Sequence, residues 1–476
     1  MLKLFVPALH EDTPEYEKRC PQVMRNRTTD AGTNGAKRTS TMFKDRLNET
    51  RQNAQSHIEL RQDCIEARAC KTKEVPFRRV SVTPALGNSN ALGLAYAKKA
   101  TFLEEAMLNA VRAIGASALL LTINGASAHT PGQQPHQVYN EGDLKLESGE
   151  VIRDFSISHV THGTLNAKKS NAILMVTAIS GNHHRLDFMI GRGKALDPDK
   201  YFIIATDAIA NGLSTSPSNS TAQPRMSFPK FTIRDMVESQ YRLLKEKFGI
   251  DHVVAIVGPS MGGMQVLQWG VSHPDMMDSL VAMVPLAKTP AWTVAVLETT
   301  RKAVMLDPAW NGGNYTAMPE KGVRLWRDIL NLLAARTPDM YQAQFKDGTD
   351  VLPWMTQQED AVIKAFDAND WIYQTWAYEK HDVGTTPGFN GDTARALGSI
   401  KAKTLILVGT KDLLNPEFEP HAAARSIANV RVVTISPGTV TGHASAGGAL
   451  PDDVAFLNRE AADFLDAVTE HGKRLN

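Results

Sequence analysis

A buried strand that turns into a helix within a few residues leaves few folds open to a chain, and such a passage lies at the centre of this one. The apolar run Val253-Val-Ala-Ile-Val257 feeds directly into Gly258-Pro-Ser-Met-Gly-Gly263, and a helical pattern begins near Met264. The Gly258-x-Ser260-x-Gly262 spacing is that of a tight strand-to-helix turn that lifts a serine hydroxyl above the edge of a sheet. Small residues on both sides are required, because larger side chains would collide in the turn.

The text around this turn repeats the same alternation. Asn171 to Ile179, Tyr201 to Thr206, Leu280 to Val284, Thr404 to Val408 and Val430 to Ile435 are short apolar or β-branched runs, as expected of buried strands in a parallel sheet. Between them, Ile233, Met236, Val237, Leu244 and Phe248 fall on one helical face, with Thr232 as N-cap, and Pro451 to Val468 gives a closing helix. The expected architecture is α/β: a doubly wound, mostly parallel sheet over residues 142–287 and 396–470. Residues 288–395 interrupt the alternation with helical, tryptophan-rich text and are expected to form an inserted lid. Its tryptophans serve as lid core, or one or two of them line an acyl or acceptor pocket.

The first part of the chain differs. Residues 1–79 hold 16 Lys or Arg against 11 Asp or Glu, a net of +5, with no sustained apolar period. Residues 1–106 are expected to be a disordered extension, or to precede the true start. Met107-Leu-Asn-Ala-Val-Arg112, the apolar run Ala113 to Ile123 and Ala126-Ser-Ala128 together have the layout of a secretory signal peptide over 107–128, if translation begins at Met107. The competing reading is a buried helix within an N-terminal extension. The apolar run is too short to span a bilayer. Translation from Met107 implies a periplasmic or secreted enzyme, and translation from Met1 a cytoplasmic one.

Composition narrows the partners. Hydrophobic residues make up 42% and charged residues 22%, and the net charge is +1, which excludes a mostly disordered or multi-span membrane chain and gives no field to attract nucleic acid or an anionic membrane. Cys20, Cys64 and Cys70 show neither metal-ligand nor Cys-x-x-Cys spacing, so a disulfide scaffold or thiolate zinc site is not expected. His183-His184 near Asp187 lacks the spacing of a helical ligand pair. No metal and no cofactor is expected.

A serine nucleophile needs a base to take its proton and a third group to orient that base. In this kind of sheet the order along the chain is serine, acid, histidine, each at the carboxyl end of a strand. Ser260 is the expected nucleophile. The strand at Thr404 ends in Gly409-Thr-Lys-Asp412, making Asp412 the expected acid, with Asp207 as runner-up. The strand at Val430 leads to Gly442-His443, making His443 the expected base, while His421 is expected at the surface. The oxyanion needs two backbone donors, expected from Met261 and from Ile179 in Thr177-Ala-Ile-Ser-Gly181.

At this level of detail the chain resembles the homoserine O-acetyltransferase family of α/β hydrolases. The resemblance runs from about Leu144 to Val468. It is carried by Thr161-His-Gly-Thr-Leu-Asn166, Gly191-x-Gly-Lys-Ala-Leu-Asp197, Ser227-Phe-Pro229, Thr232-Ile-Arg-Asp-Met-Val237 and Gly258-x-Ser-Met-Gly-Gly-Met-Gln265, and in the insert by Glu298-x-x-Arg301 and Asp307-Pro-x-Trp310-x-Gly-Gly-x-Tyr315. It implies an α/β-hydrolase sheet with a helical lid, a homodimer built through the lid, and a ping-pong reaction in which Ser260 takes an acyl group from acyl-CoA, as co-substrate, and passes it to an alcohol. It also implies that Arg301 grips the carboxylate of the amino-acid acceptor. Three positions depart from the family. Pro259 replaces a glycine before the nucleophile, Thr177-Ala-Ile-Ser-Gly181 replaces a His-Ala-Leu-Thr-Gly form, and Ala444 follows His443 where the family has an aspartate taken to hold the homoserine ammonium. Three functions are therefore in play: an O-acyltransferase with a changed acceptor, an exported ester hydrolase, and a non-catalytic binding protein on the same scaffold.

Overall fold

The computed structural model describes His129 and residues 133–475, except residues 365 and 436–440. The extension over residues 1–106 and the signal-peptide reading over 107–128 fall outside the described residues.

Eight strands form one sheet: β1 (Gln137–Lys145), β2 (Val151–His162), β3 (Ala172–Met175), β4 (Phe202–Thr206), β5 (Val253–Pro259), β6 (Met277–Met283), β7 (Lys403–Gly409) and β8 (Val430–Ile435). Their order is β1-β2-β4-β3-β5-β6-β7-β8. From β4 to β8 all neighbours are parallel, with Leu174 and Leu280 flanking Ile256. The hairpin β1–β2 adds an antiparallel edge. This hairpin, whose polar alternation hides it in the sequence, starts the sheet at Gln137 instead of residue 142.

The strands are buried on both faces, and successive residues serve opposite cores. Leu174, Ile204 and Ile256 pack into one cluster with Met236 and Val237 of helix α1 (Ile233–Arg242) and Leu267 and Trp269 of α2 (Met261–Ser272). Ile173, Ile203 and Val257 pack into the other. The sheet is thus wound on both sides, as an α/β hydrolase requires. Thr232 caps α1 through a reciprocal box with Asp235, two unpaired donors being satisfied at once. Past Arg242 the helix widens into a π-helical turn over Leu243–Phe248, closed by Gly249 at φ 58°.

The segment after β6 holds α3 (Ala291–Met305), α4 (Glu320–Leu333), α5 (Pro338–Gln344), α6 (Gly348–Ile363) and α7 (Ala368–Glu379). Trp326 of α4 and Trp371 of α7 meet edge to face at 4.9 Å, with Phe366 4.3 Å from Trp326. After them, α8 (Thr393–Gly398) precedes β7, α9 (Phe418–Ala424) carries the exposed His421, and α10 (Pro451–Leu475) covers the second face through Leu457, Ala461 and Leu465.

The turn between β5 and α2 is the tightest point of the sheet. Ser260 adopts φ 57°, ψ −119°, a conformation that an L residue holds only under constraint. The constraint is close packing. A Cβ on Gly258 would lie 2.6 Å from Val176 Cγ2 and 2.8 Å from the Gly262 backbone, and one on Gly262 would lie 2.7 Å from the Val176 carbonyl. Ser260 N–H donates to the Met283 carbonyl at 2.8 Å, and Met264 N–H to the Ser260 carbonyl at 3.0 Å. Gly262→Ala should therefore destabilise the chain by about 1–3 kcal/mol, the usual cost of overpacking, and slow turnover of an activated ester. Denaturant unfolding and initial rates check this, and a variant with wild-type stability and rate would contradict it.

Candidate active site

The elbow presents Ser260 at the carboxyl edge of the sheet, beside a loop from each of two neighbouring strands. Asp412 follows β7, and His443 sits in a 3₁₀ turn, Gly442–Gly447, after β8. His443 Nε2 lies 2.8 Å from Ser260 Oγ, and His443 Nδ1 lies 2.7 Å from Asp412 Oδ2. Asp412 is anchored at its other oxygen, where Oδ1 accepts the backbone N–H of Leu414 and of Asn415, both at 2.8 Å. A carboxylate so held fixes the histidine proton on Nδ1 and leaves Nε2 free to take the serine proton. The runner-up acid, Asp207, lies elsewhere: its carboxylate holds His183.

Residues without a motif complete the support. Asn415 Nδ2 donates to the Val284 carbonyl at 2.8 Å, and Tyr378 Oη donates to Asn415 Oδ1 at 2.7 Å. Burial raises the pKa of the Tyr378 phenol, so this hydroxyl stays protonated. Tyr378 and Asn415 give no sequence signal, since Tyr378 comes from the insert and meets the site only through the fold.

A pocket opens in front of Ser260 and His443. Its walls include Ile179, Trp326, Leu330 and Trp371, so two tryptophans of the insert serve both as core and as pocket wall. Ile179 stands beside Ser260 on this wall, and Met261 opens α2, where its N–H has no intrahelical carbonyl to meet. The loop after Ile179 is held by Gln374 of α7, whose Oε1 accepts Ser180 N–H at 2.8 Å. Ala444 is on the pocket wall and brings no charge to it.

Two arginines lie in this part of the fold. Arg301 is buried, with Nη2 paired to Glu298 and Glu379 and Nη1 without a hydrogen-bond partner among the described residues, and it is not among the residues lining this pocket. Arg185 lines the pocket instead. It has no carboxylate partner among the described residues, its Nε is buried without a hydrogen bond there, and desolvation lowers its pKa. A Cβ on Gly447 would come within 2.6 Å of its guanidinium, so that glycine makes room for it. No short motif marks Arg185.

Comparison with known proteins agrees with this geometry. A family model described as alpha/beta hydrolase fold matches residues 171–439. The homoserine O-acetyltransferase of Methanosalsum zhilinae is 35% identical, covering 69% of this chain and 72% of its own. That of Leptospira biflexa is 33% identical over 71% of this chain and 94% of its own. The crystal structure of an acetylester hydrolase from Corynebacterium glutamicum superposes with a TM-score of 0.65 at 30% identity, covering 70% of this chain and 96% of that one. The chain is an enzyme of the α/β-hydrolase superfamily, and it belongs to the homoserine O-acetyltransferase family.

Proposed function

We propose that this enzyme moves an acyl group through an acyl-Ser260 intermediate to an alcohol acceptor, with Asp412 and His443 as its orienting acid and base. The reading rests on the hydrogen-bonded chain from Asp412 through His443 to Ser260 at the floor of an apolar pocket. Ser260 Oγ attacks the acyl carbonyl as His443 Nε2 takes its proton. The backbone N–H groups of Met261 and Ile179 face the oxyanion, and the leaving thiol or alcohol recovers the proton from His443. The acceptor then repeats the cycle in reverse. Acyl-CoA is a suitable donor, and no cofactor is needed. Ser260→Ala, His443→Ala and Asp412→Asn should each lower turnover of an activated ester on the order of 10⁴- to 10⁶-fold with the fold intact, while Asp207→Asn keeps most of the rate. Circular dichroism and initial rates decide this, and a slow Asp207→Asn beside a fast Asp412→Asn would move the acid to Asp207.

The acceptor reading rests on two residues of the pocket wall, Ala444 and Arg185. Ala444 supplies no partner for an ammonium, whereas Arg185 supplies one for a carboxylate. A hydroxy acid without an amine therefore suits the site better than homoserine, and water is a competing acceptor. A hydrogen bond to a charged group contributes about 1.5–3 kcal/mol, so Ala444→Asp should raise kcat/KM for homoserine about 10- to 150-fold. Arg185→Met should lower it for a hydroxy acid by a similar factor, leaving a neutral acetate ester unaffected. Thiol release from acetyl-CoA with each acceptor gives the measurement. An Arg185→Met variant equally slow on the neutral ester would end the carboxylate role.

The alternative, an ester hydrolase acting outside the cytoplasm, draws support from the acetylester hydrolase among the similar structures and from the signal-like text at 107–128. Acyl-CoA is a cytoplasmic donor, so an exported enzyme would transfer to water. Mass spectrometry of the protein from its host should find a mature terminus at His129 on this alternative. Abundant peptides from residues 1–100 would rule the exported form out. Among the described residues no helix is long and apolar enough to cross a membrane.

A further inference from the structure

Beyond the pocket, the loop that follows Ile179 carries a second constellation. His183 meets His129 and His136, which lie just ahead of β1, and one nitrogen from each ring falls within 4.8 Å of the others. Ring centroids are 5.1 Å apart for His129 with His136 and for His129 with His183, and 5.6 Å for His136 with His183. His184 adds a fourth ring, 4.3 Å from His183. We propose that His129, His136 and His183 form a binding site for a divalent transition-metal ion of the zinc and copper class.

Hydrogen bonding directs the lone pairs of these rings toward one another. An ionised carboxylate only accepts, so Asp207 Oδ2, 2.6 Å from His183 Nδ1, fixes the ring proton there. His183 Nε2 is left with a lone pair, buried and without a hydrogen-bond partner among the described residues. Asp187 Oδ2 does the same for His184 Nδ1 at 2.9 Å, so His184 Nε2 accepts the Nδ1 proton of His129 at 2.8 Å. The lone pair of His129 is then on Nε2, which accepts the His136 backbone N–H at 3.1 Å and lies 2.8 Å from Nδ1 of the same residue. A second lone pair, on His136 Nδ1, would repel it at that distance unless a cation lay between the two, and a metal ion there would take the place of the contact from the backbone N–H. Without metal, a proton on His136 Nδ1 fills this role. Moving it to the other nitrogen of the same neutral ring frees a third lone pair and leaves the charge unchanged.

Histidine ligands backed by carboxylates are the usual second layer of a metal site, because the carboxylate sets the tautomer and strengthens the ligand. Here Asp207 backs His183 directly, and Asp187 backs His129 through His184. Both carboxylates are themselves held. Asp207 Oδ1 accepts from the His183 backbone and from Asn211 Nδ2, each at 2.9 Å, and Asp187 Oδ2 accepts from Gln133 Nε2 at 2.9 Å. Three imidazoles with no oxygen ligand favour zinc, copper or nickel over magnesium or calcium. Bond lengths of about 2.0–2.1 Å to three nitrogens in a tetrahedral site require ligand separations of roughly 3.3 Å, within the span these rings already occupy. A metal here ties the segment before β1 to the loop carrying Ile179, and cleavage after Ala128 would retain all three ligands. The expectation of no metal rested on the spacing of His183-His184, whereas the other two ligands come from 47 and 54 residues earlier in the chain.

The test uses the full chain, stripped with EDTA and dialysed against zinc chloride or magnesium chloride, with metal counted by mass spectrometry and Tm followed by calorimetry. About one zinc per chain, no magnesium, and a zinc-dependent rise in Tm are expected. The double variant His129→Ala/His136→Ala, altered only ahead of the sheet, should lose both effects while keeping the metal-free ester rate, and Asp207→Asn should weaken zinc binding about 10- to 100-fold. A wild-type chain that binds no zinc, or a double variant that binds it as well as wild type, would overturn the site. Neither readout depends on the acceptor or on turnover of Ser260.

Discussion

The backbone at Ser260 is the constraint on which the rest of the structure turns. Its φ of 57° is held because β5, β3 and β6 close around the elbow, with Val176 on one side and the Met283 carbonyl on the other. A larger residue at Gly258 or Gly262 would open the turn and move the hydroxyl. The parallel sheet is needed to hold the turn shut, and the loops after β7 and β8 then bring Asp412 and His443 to the same edge. One strained residue is maintained by the packing of a whole layer, the usual way strain is kept at a functional site.

Much of this was legible in the sequence because it is local. The strand before the elbow, the glycines around it, the Thr232 cap and the strand ends bearing Asp412 and His443 are each written within a few residues. What was not legible is what distant segments build together. The β1–β2 hairpin was missed because an antiparallel edge strand alternates polar and apolar residues and carries no run of Val or Ile. The extent of β3 was overestimated, since Val176 to Ile179 is as apolar as a strand but turns away to line the elbow and the pocket. Tyr378, Asn415 and Gln374 support the site from the insert and a loop, where no motif could mark them.

The two arginines show the same limit in a sharper form. Arg301 stands within a family motif, and a motif assigns a residue type to a position without saying which way the guanidinium faces. Here two glutamates pair with one of its nitrogens, and Nη1 is buried without a hydrogen-bond partner among the described residues. Arg185 belongs to no motif, yet its charge is the one that meets the pocket. Position in a motif and position in the site are separate facts.

The same separation bears on the electrostatics of the pocket. A guanidinium facing Trp326, Leu330 and Ile179 has given up much of its water, and burial lowers its pKa in consequence. Near a surface such a charge is screened and selects weakly, but in an apolar pocket its attraction for an anion is several-fold stronger. It also opposes any cation brought alongside it. With Ala444 in place of an aspartate, nothing on the described pocket wall offsets that repulsion for an ammonium group. On the proposed acyl-transfer reading, arginine and alanine act in the same direction: one draws a carboxylate toward the acyl-serine, and the other offers no contact that would make an amino group welcome there.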